Sequence, residues 1–109
     1  MIKDKIYNKF SELYGGKPQM FSAPGRINVI GEHTDYNDGF VLPAAINKRI
    51  FVAMKKNDSG KCRLHAYDIN ENSSFSTHQK EPVEKTWVNY PLGVIREMLN
   101  IREFDLTGF

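Results

Sequence analysis

The sequence predicts an α+β fold, and three observations carry the prediction. An amphipathic helical stripe opens the chain, short runs rich in β-branched and aromatic residues follow with turn residues between them, and a second helical stripe lies near the end. Helix, clustered strands, helix and strand in that order fit a mixed, largely antiparallel sheet with helices on one side. A doubly wound parallel sheet would need strict alternation of strand and helix.

The first stripe is Ile2, Ile6, Phe10 and Leu13, widened by Tyr7 and Tyr14 and closed by Gly15-Gly16, after which Pro18 blocks continuation. Gln19 to Ala23 reads as a short strand halted at Pro24-Gly25, with a second brief apolar run at Ile27, Val29 and Ile30. Asn37-Asp38-Gly39 reads as a tight turn. Phe40-Val41-Leu42 resumes apolar character before Pro43, and Ile50 to Met54 is a further β-rich run. Asn57-Asp58-Ser59-Gly60 is the strongest hairpin turn in the chain. After it Cys62, Leu64 and Ala66 alternate with Arg63, His65 and Tyr67, as in a strand with one wet face, and Ser73 to Thr77 is its expected neighbour.

Residues 78 to 86 are polar and contain Pro82, which marks a surface loop. Val94, Ile95, Met98 and Leu99 define the second helix, ending near Asn100. Pro91 requires that helix to begin at about Asn89 or Tyr90, because proline is tolerated only in a first turn. Phe104 to Phe109 looks like the start of another strand, with no closing element in the sequence. No repeat, low-complexity tract or linker interrupts residues 1–109, which are expected to form one domain or part of one.

Hydrophobic residues make up 40% and charged residues 26%, a globular balance that argues against disorder. The net charge of +2 gives no footprint for nucleic acid. No apolar run reaches signal-peptide or membrane-span length, so the expectation is a cytoplasmic protein with no membrane partner. A single cysteine, Cys62, excludes an internal disulfide and is expected to be a half-buried strand residue.

The chemistry concentrates between Arg26 and Asp38. That segment holds a guanidinium, the carboxylates Glu32, Asp35 and Asp38, the His33 imidazole, the Asn28 amide and the hydroxyls of Thr34 and Tyr36. Such an inventory suits a sugar, whose hydroxyls each donate and accept and so pair with ionised carboxylates. A buried site of this kind rejects a sugar lacking the matching hydroxyl, at about 1–3 kcal/mol per unpaired neutral group. A solvated turn is the plain alternative, and Asp38-Gly39 fits it. His33 lacks a second histidine at ligand spacing, so no metal site is assigned, and His65 and His78 are given no role.

As a literal string, Gly25-Arg26-Ile27-Asn28-Val29-Ile30-Gly31-Glu32-His33-Thr34-Asp35-Tyr36 resembles the galactokinase signature. Ala23-Pro24-Gly25-Arg26 is similar to the looser opening shared by the wider GHMP kinases, and the continuation Gly31 to Tyr36 looks specifically galactokinase-like. Phe40 to Ile46, Trp87-Val88-Asn89-Tyr90 with Gly93-Val94-Ile95, and Phe104-Asp105-Leu106 resemble later family segments. In effect the chain aligns with the N-terminal quarter of such a kinase. The implied fold is the first part of a GHMP kinase N-terminal domain, of ribosomal-protein-S5-domain-2-like type.

The resemblance implies transfer of the ATP γ-phosphoryl group to the C1 hydroxyl of galactose, with Mg²⁺ as metal partner. Arg26 would stabilise charge beside that hydroxyl and the transferred group. Glu32, His33 and Asp35 would bond sugar hydroxyls, Tyr36 would pack or bond nearby, and Trp87 and Tyr90 would line the adenine pocket. Pro91 stands where related kinases have an ordinary helix former.

No Gly-Leu-Ser-Ser-Ser-Ala type loop occurs in the sequence, and no residue maps to the family's proton-accepting carboxylate. The 109 residues alone are therefore expected to be inactive, and to self-associate through exposed apolar surface. Three alternatives stand beside this: a kinase for N-acetylgalactosamine, a non-catalytic galactose sensor of galactokinase type, and a small stand-alone binding domain.

Overall fold

The computed structural model describes residues 1–30 and 39–109 of the chain. It forms two compact units, Met1–Met54 and Lys55–Phe109. Among the described residues there are two α-helices and two antiparallel sheets, so the class is α+β.

The first unit begins with α1, Ile2–Tyr14, whose C-cap Gly15 has φ 73° as the Gly15-Gly16 pair predicts. Phe10 and Tyr14, one turn apart, bring their ring centroids to 5.1 Å. Strand β1, Gln19–Ile30, pairs antiparallel with β2, Leu42–Met54, and α1 lies against β2.

Here the structure corrects the sequence-based expectation: Pro24-Gly25 does not halt the strand. Pro24 stands opposite Arg49 and Arg26 opposite Ala45, so Ile46, Asn47 and Lys48 are left opposite Gly25 alone. This irregularity absorbs the proline, which is tolerated where the ladder is already broken or at an edge. Glycine suits the kink, because an added Cβ would stand 3.1 Å from the Ile46 side chain and oblige it to shift. A second register shift falls between Asn28 and Ile30.

Among the described residues of this unit only Pro18 is buried. Phe21 is 50% and Ile50 69% exposed, on strands whose composition suits cover on both faces.

In the second unit, β3, Lys61–Ala66, pairs antiparallel with β4, Glu71–Ser76, from Lys61 opposite Ser76 to Ala66 opposite Glu71. The left-handed position between them is Asn70, φ 50°. A 3₁₀ turn at Thr86–Val88 leads into α2, Asn89–Ile101. Pro91 falls in the first turn, where its missing N–H leaves no intrahelical bond unmade.

Cys62, Phe75, Val88 and Leu92 form the core, with Leu64, Val83, Trp87, Ile95, Leu106 and Phe109 packed around it. The alternation predicted from Cys62 onward holds from Lys61 to Leu64 and then fades, since Leu64, His65 and Ala66 are all partly buried; Cys62 is fully rather than half buried. Burial pushes its thiol pKa up, partly opposed by the Phe109 backbone bond, which favours the thiolate.

Another expectation needs correction. Asn57 to Gly60 do form a turn, since Asn57 Oδ1 accepts from the Ser59 amide at 2.9 Å and from its hydroxyl at 2.7 Å. Yet the turn makes no hairpin, because β2 pairs with β1 and β3 with β4. All described pairings are antiparallel, in two ladders, consistent with the largely antiparallel α+β expectation.

The Asn57 turn engages the far end of the chain. The Asn57 amide donates to Gly108 O, the Gly60 amide to Thr107 O and the Arg63 amide to Phe109 O, at 3.1, 2.8 and 2.9 Å. Thr107 Oγ1 adds a bond to Asn57 O at 2.9 Å. Phe104 to Phe109 is thus not a regular strand, but its last residues bond to the Asn57 turn and to β3 and carry Leu106 and Phe109 onto the core.

Gly108, φ 133°, makes this approach possible. A Cβ there would collide with the Asn57 side chain and the Lys61 carbonyl. A Gly108→Ala chain is expected to lose about 1–3 kcal/mol from backbone strain alone, and to release the terminal segment. Amide exchange at Gly60 and Arg63 checks this: both should speed up while protection in α1 stays unchanged.

Candidate functional site

Of the residues that the sequence singles out, Glu32, His33, Asp35 and Tyr36 lie outside the described residues, as does the Asn37-Asp38 part of the following turn. Arg26, Trp87 and Tyr90 are described. Arg26 belongs to the first unit and the aromatic pair to the second.

Arg26 follows directly on Gly25, where β1 and β2 lose register, and its side chain is exposed. The irregularity brings Ile46 over Gly25 and resets the strand, so Arg26 resumes pairing opposite Ala45. A register break of this kind re-aims the side chain that follows it. On the other side of the break, Arg49 Nη2 donates to Ser22 Oγ at 3.1 Å. The neighbourhood is cationic, with Lys48 and Arg49 on the facing strand.

In the second unit, Trp87 is partly buried and packs against the core. Its Nε1–H donates to Glu71 Oε2 at 2.8 Å. The same carboxylate oxygen lies 3.9 Å from Lys85 Nζ, and that ammonium donates to Asn72 O at 2.9 Å. Asn89 clasps the preceding loop reciprocally: its Oδ1 accepts from the Val83 amide at 2.8 Å, and its Nδ2 donates to Val83 O at 2.9 Å. Tyr90, one residue on, is 79% exposed.

Sequence reasoning missed Glu71, Lys85 and the Asn89 clasp. Asn89 could have been found, because an amide beside a helix start and within reach of a polar loop is a common closure. Glu71 had no local signal, since its partner lies sixteen positions away.

His65 stands opposite Asn72 in the ladder, with Nδ1 at 2.8 Å from Asn72 Oδ1. No group of three His, Cys, Asp or Glu side chains among the described residues could hold a metal ion. No described helix is long and apolar enough to cross a membrane.

Residues 8–56 match the family model for the galactokinase galactose-binding signature, a span that begins within α1, ends just past β2 and includes all of β1 and β2. The chain thus carries the galactokinase galactose-binding signature and is similar over most of its length to curated galactokinases, fitting an N-terminal portion of them. It is 50% identical over 90 residues to the galactokinase of Actinobacillus pleuropneumoniae serotype 5b (strain L20), covering 81% of this chain and 23% of that protein. Against the galactokinase of Streptomyces coelicolor (strain ATCC BAA-471 / A3(2) / M145) it is 44% identical over 110 residues, covering 98% of this chain and 28% of that protein. The galactokinase of Roseiflexus sp. (strain RS-1) is 41% identical over 92 residues. The chain therefore spans about a quarter of the length of the curated relatives it matches.

Proposed function

We propose that these residues supply the sugar-recognition wall, and one side of the nucleotide pocket, of a kinase that phosphorylates the C1 hydroxyl of galactose. The observation that carries the proposal is the complete string Gly25 to Tyr36 within the matched signature. Glu32, His33 and Asp35 bond the sugar hydroxyls, Tyr36 packs beside them, and Arg26 places a fixed positive charge by the attacking oxygen and the transferred group. The register break at Gly25 supports that role for Arg26.

ATP is the phosphoryl donor in this proposal, with Mg²⁺ held by its oxygens and by residues other than these. Tyr90 suits the base, since an exposed aromatic face can stack on adenine. The sequence has no Gly-Leu-Ser-Ser-Ser-Ala type loop to cradle the phosphates and no residue that maps to the proton-accepting carboxylate, so no complete transfer step is assigned to these residues by themselves. The protein works in the cytoplasm, and its two ladders form part of a GHMP kinase N-terminal domain. Exposed Phe21, Ile27, Ile50 and Val52 support self-association of the 109 residues when alone.

A sugar panel tests the substrate. A galactokinase of full family length carrying this segment should consume ATP with galactose and not with glucose, and should favour galactose over N-acetylgalactosamine. The 109-residue chain should give no galactose-dependent ATP consumption. Preference for N-acetylgalactosamine, or sugar binding without turnover by the longer protein, would refute the proposed reaction.

A further inference from the structure

The pair Trp87 and Tyr90, three residues apart, is divided in its work. The Trp87 indole has one donor, already spent on Glu71 Oε2 at 2.8 Å, and its ring packs on the core. A bond to a carboxylate is stronger than one between neutral groups, and here Lys85 approaches the same oxygen while bonding the Asn72 carbonyl. Glu71 begins β4, whereas Lys85 and Trp87 lie just before α2. The acid therefore ties the approach to the helix onto the sheet. Asn89 closes the intervening loop on Val83, and the next side chain, Tyr90, projects with 79% exposure.

We infer that Glu71 is a positioning residue of the nucleotide site: it anchors Trp87 so that Tyr90, at the start of α2, presents its ring to a purine base. The inference rests on the nucleotide binding proposed above. Trp87 in this scheme is the fixed post and Tyr90 the stacking face. Glu71 touches no ligand and acts through the indole.

Trp87 is the sole tryptophan, so its indole N–H gives one assignable cross-peak in a ¹⁵N-correlated NMR spectrum. The 109-residue chain and its Glu71→Gln and Glu71→Ala variants would be titrated with ATP at millimolar concentration, with far-UV circular dichroism recorded alongside. In the unaltered chain the indole peak and the Tyr90 ring signals should shift with ATP. Glu71→Ala should speed indole hydrogen exchange by at least about tenfold and abolish the ATP-dependent Tyr90 shift, with helix content unchanged. Glu71→Gln keeps an oxygen acceptor and should retain both properties.

A full ATP response in Glu71→Ala overturns the inference and leaves nucleotide binding standing. Loss of the response in Glu71→Gln with the indole still protected overturns it too, because anchoring would not be what matters. No ATP response in the unaltered chain, with indole protection still dependent on Glu71, removes the nucleotide site and the inference with it. Should Glu71→Ala fail to fold, Trp87→Phe replaces it: loss of the Tyr90 shift is expected, and its persistence overturns the inference.

Discussion

Replacing Phe75 by alanine should unfold the second unit. Phe75 is 5% exposed and belongs to a core of only four buried residues, with Cys62, Val88 and Leu92. Emptying such a site costs the transfer of the ring and the cavity left behind, about 3–5 kcal/mol for Phe→Ala. Whole domains have only about 5–15 kcal/mol of stability, and one of fifty-odd residues stands near the bottom of that range. Trp87 packs against this core, so its fluorescence should move to the unfolded position in buffer or at much lower urea. Phe21→Ala is the control: with half of the ring already in solvent, the change should cost far less. Equal urea midpoints for Phe75→Ala and the unaltered chain would refute this account of the core.

The second large effect is expected at Arg26, in a galactokinase of full family length carrying this segment. If the guanidinium stabilises charge that develops during transfer, Arg26→Ala should lower kcat by about 10²–10³-fold, the cost typical of removing one preorganised donor. KM for galactose should change much less, because the interaction is made mainly in the transition state. Arg26→Lys should recover part of the rate, keeping the charge but not the planar fork. A variant with raised KM and unaltered kcat would show Arg26 binding sugar alone. Gly25→Val separates position from charge: crowding Ile46, it should depress kcat although Arg26 is still present.

Most of the local structure was legible in the sequence. Stripe spacing placed α1, and the proline rule placed the start of α2 at about Asn89 or Tyr90, where Asn89 begins it. Alternation from Cys62 marked β3 and its buried cysteine. The literal string from Gly25 to Tyr36 identified the family, which the matched signature and relatives bear out. The site was legible only as chemistry. Four of its sugar-facing candidates lie outside the described residues, and the geometry that bears on Arg26 arises from a register break that no local rule announces. Trp87 reads as pocket wall only through the family resemblance; the structure packs it on the core and bonds it to Glu71.

The sequence by itself determined the α+β class, the helix limits, the strand alternation around Cys62 and the kinship with galactokinases. These depend on periodicity, capping and residue identity, each set within a few positions along the chain. Only the tertiary structure decided that β1 runs through Pro24-Gly25 and that β2 turns from β3 to pair with β1. Likewise it alone showed Gly108 bonding at Asn57 and Glu71 holding Trp87. Strand partners and side-chain bonds join residues far apart in sequence, so their choice depends on competing pairings across the whole chain.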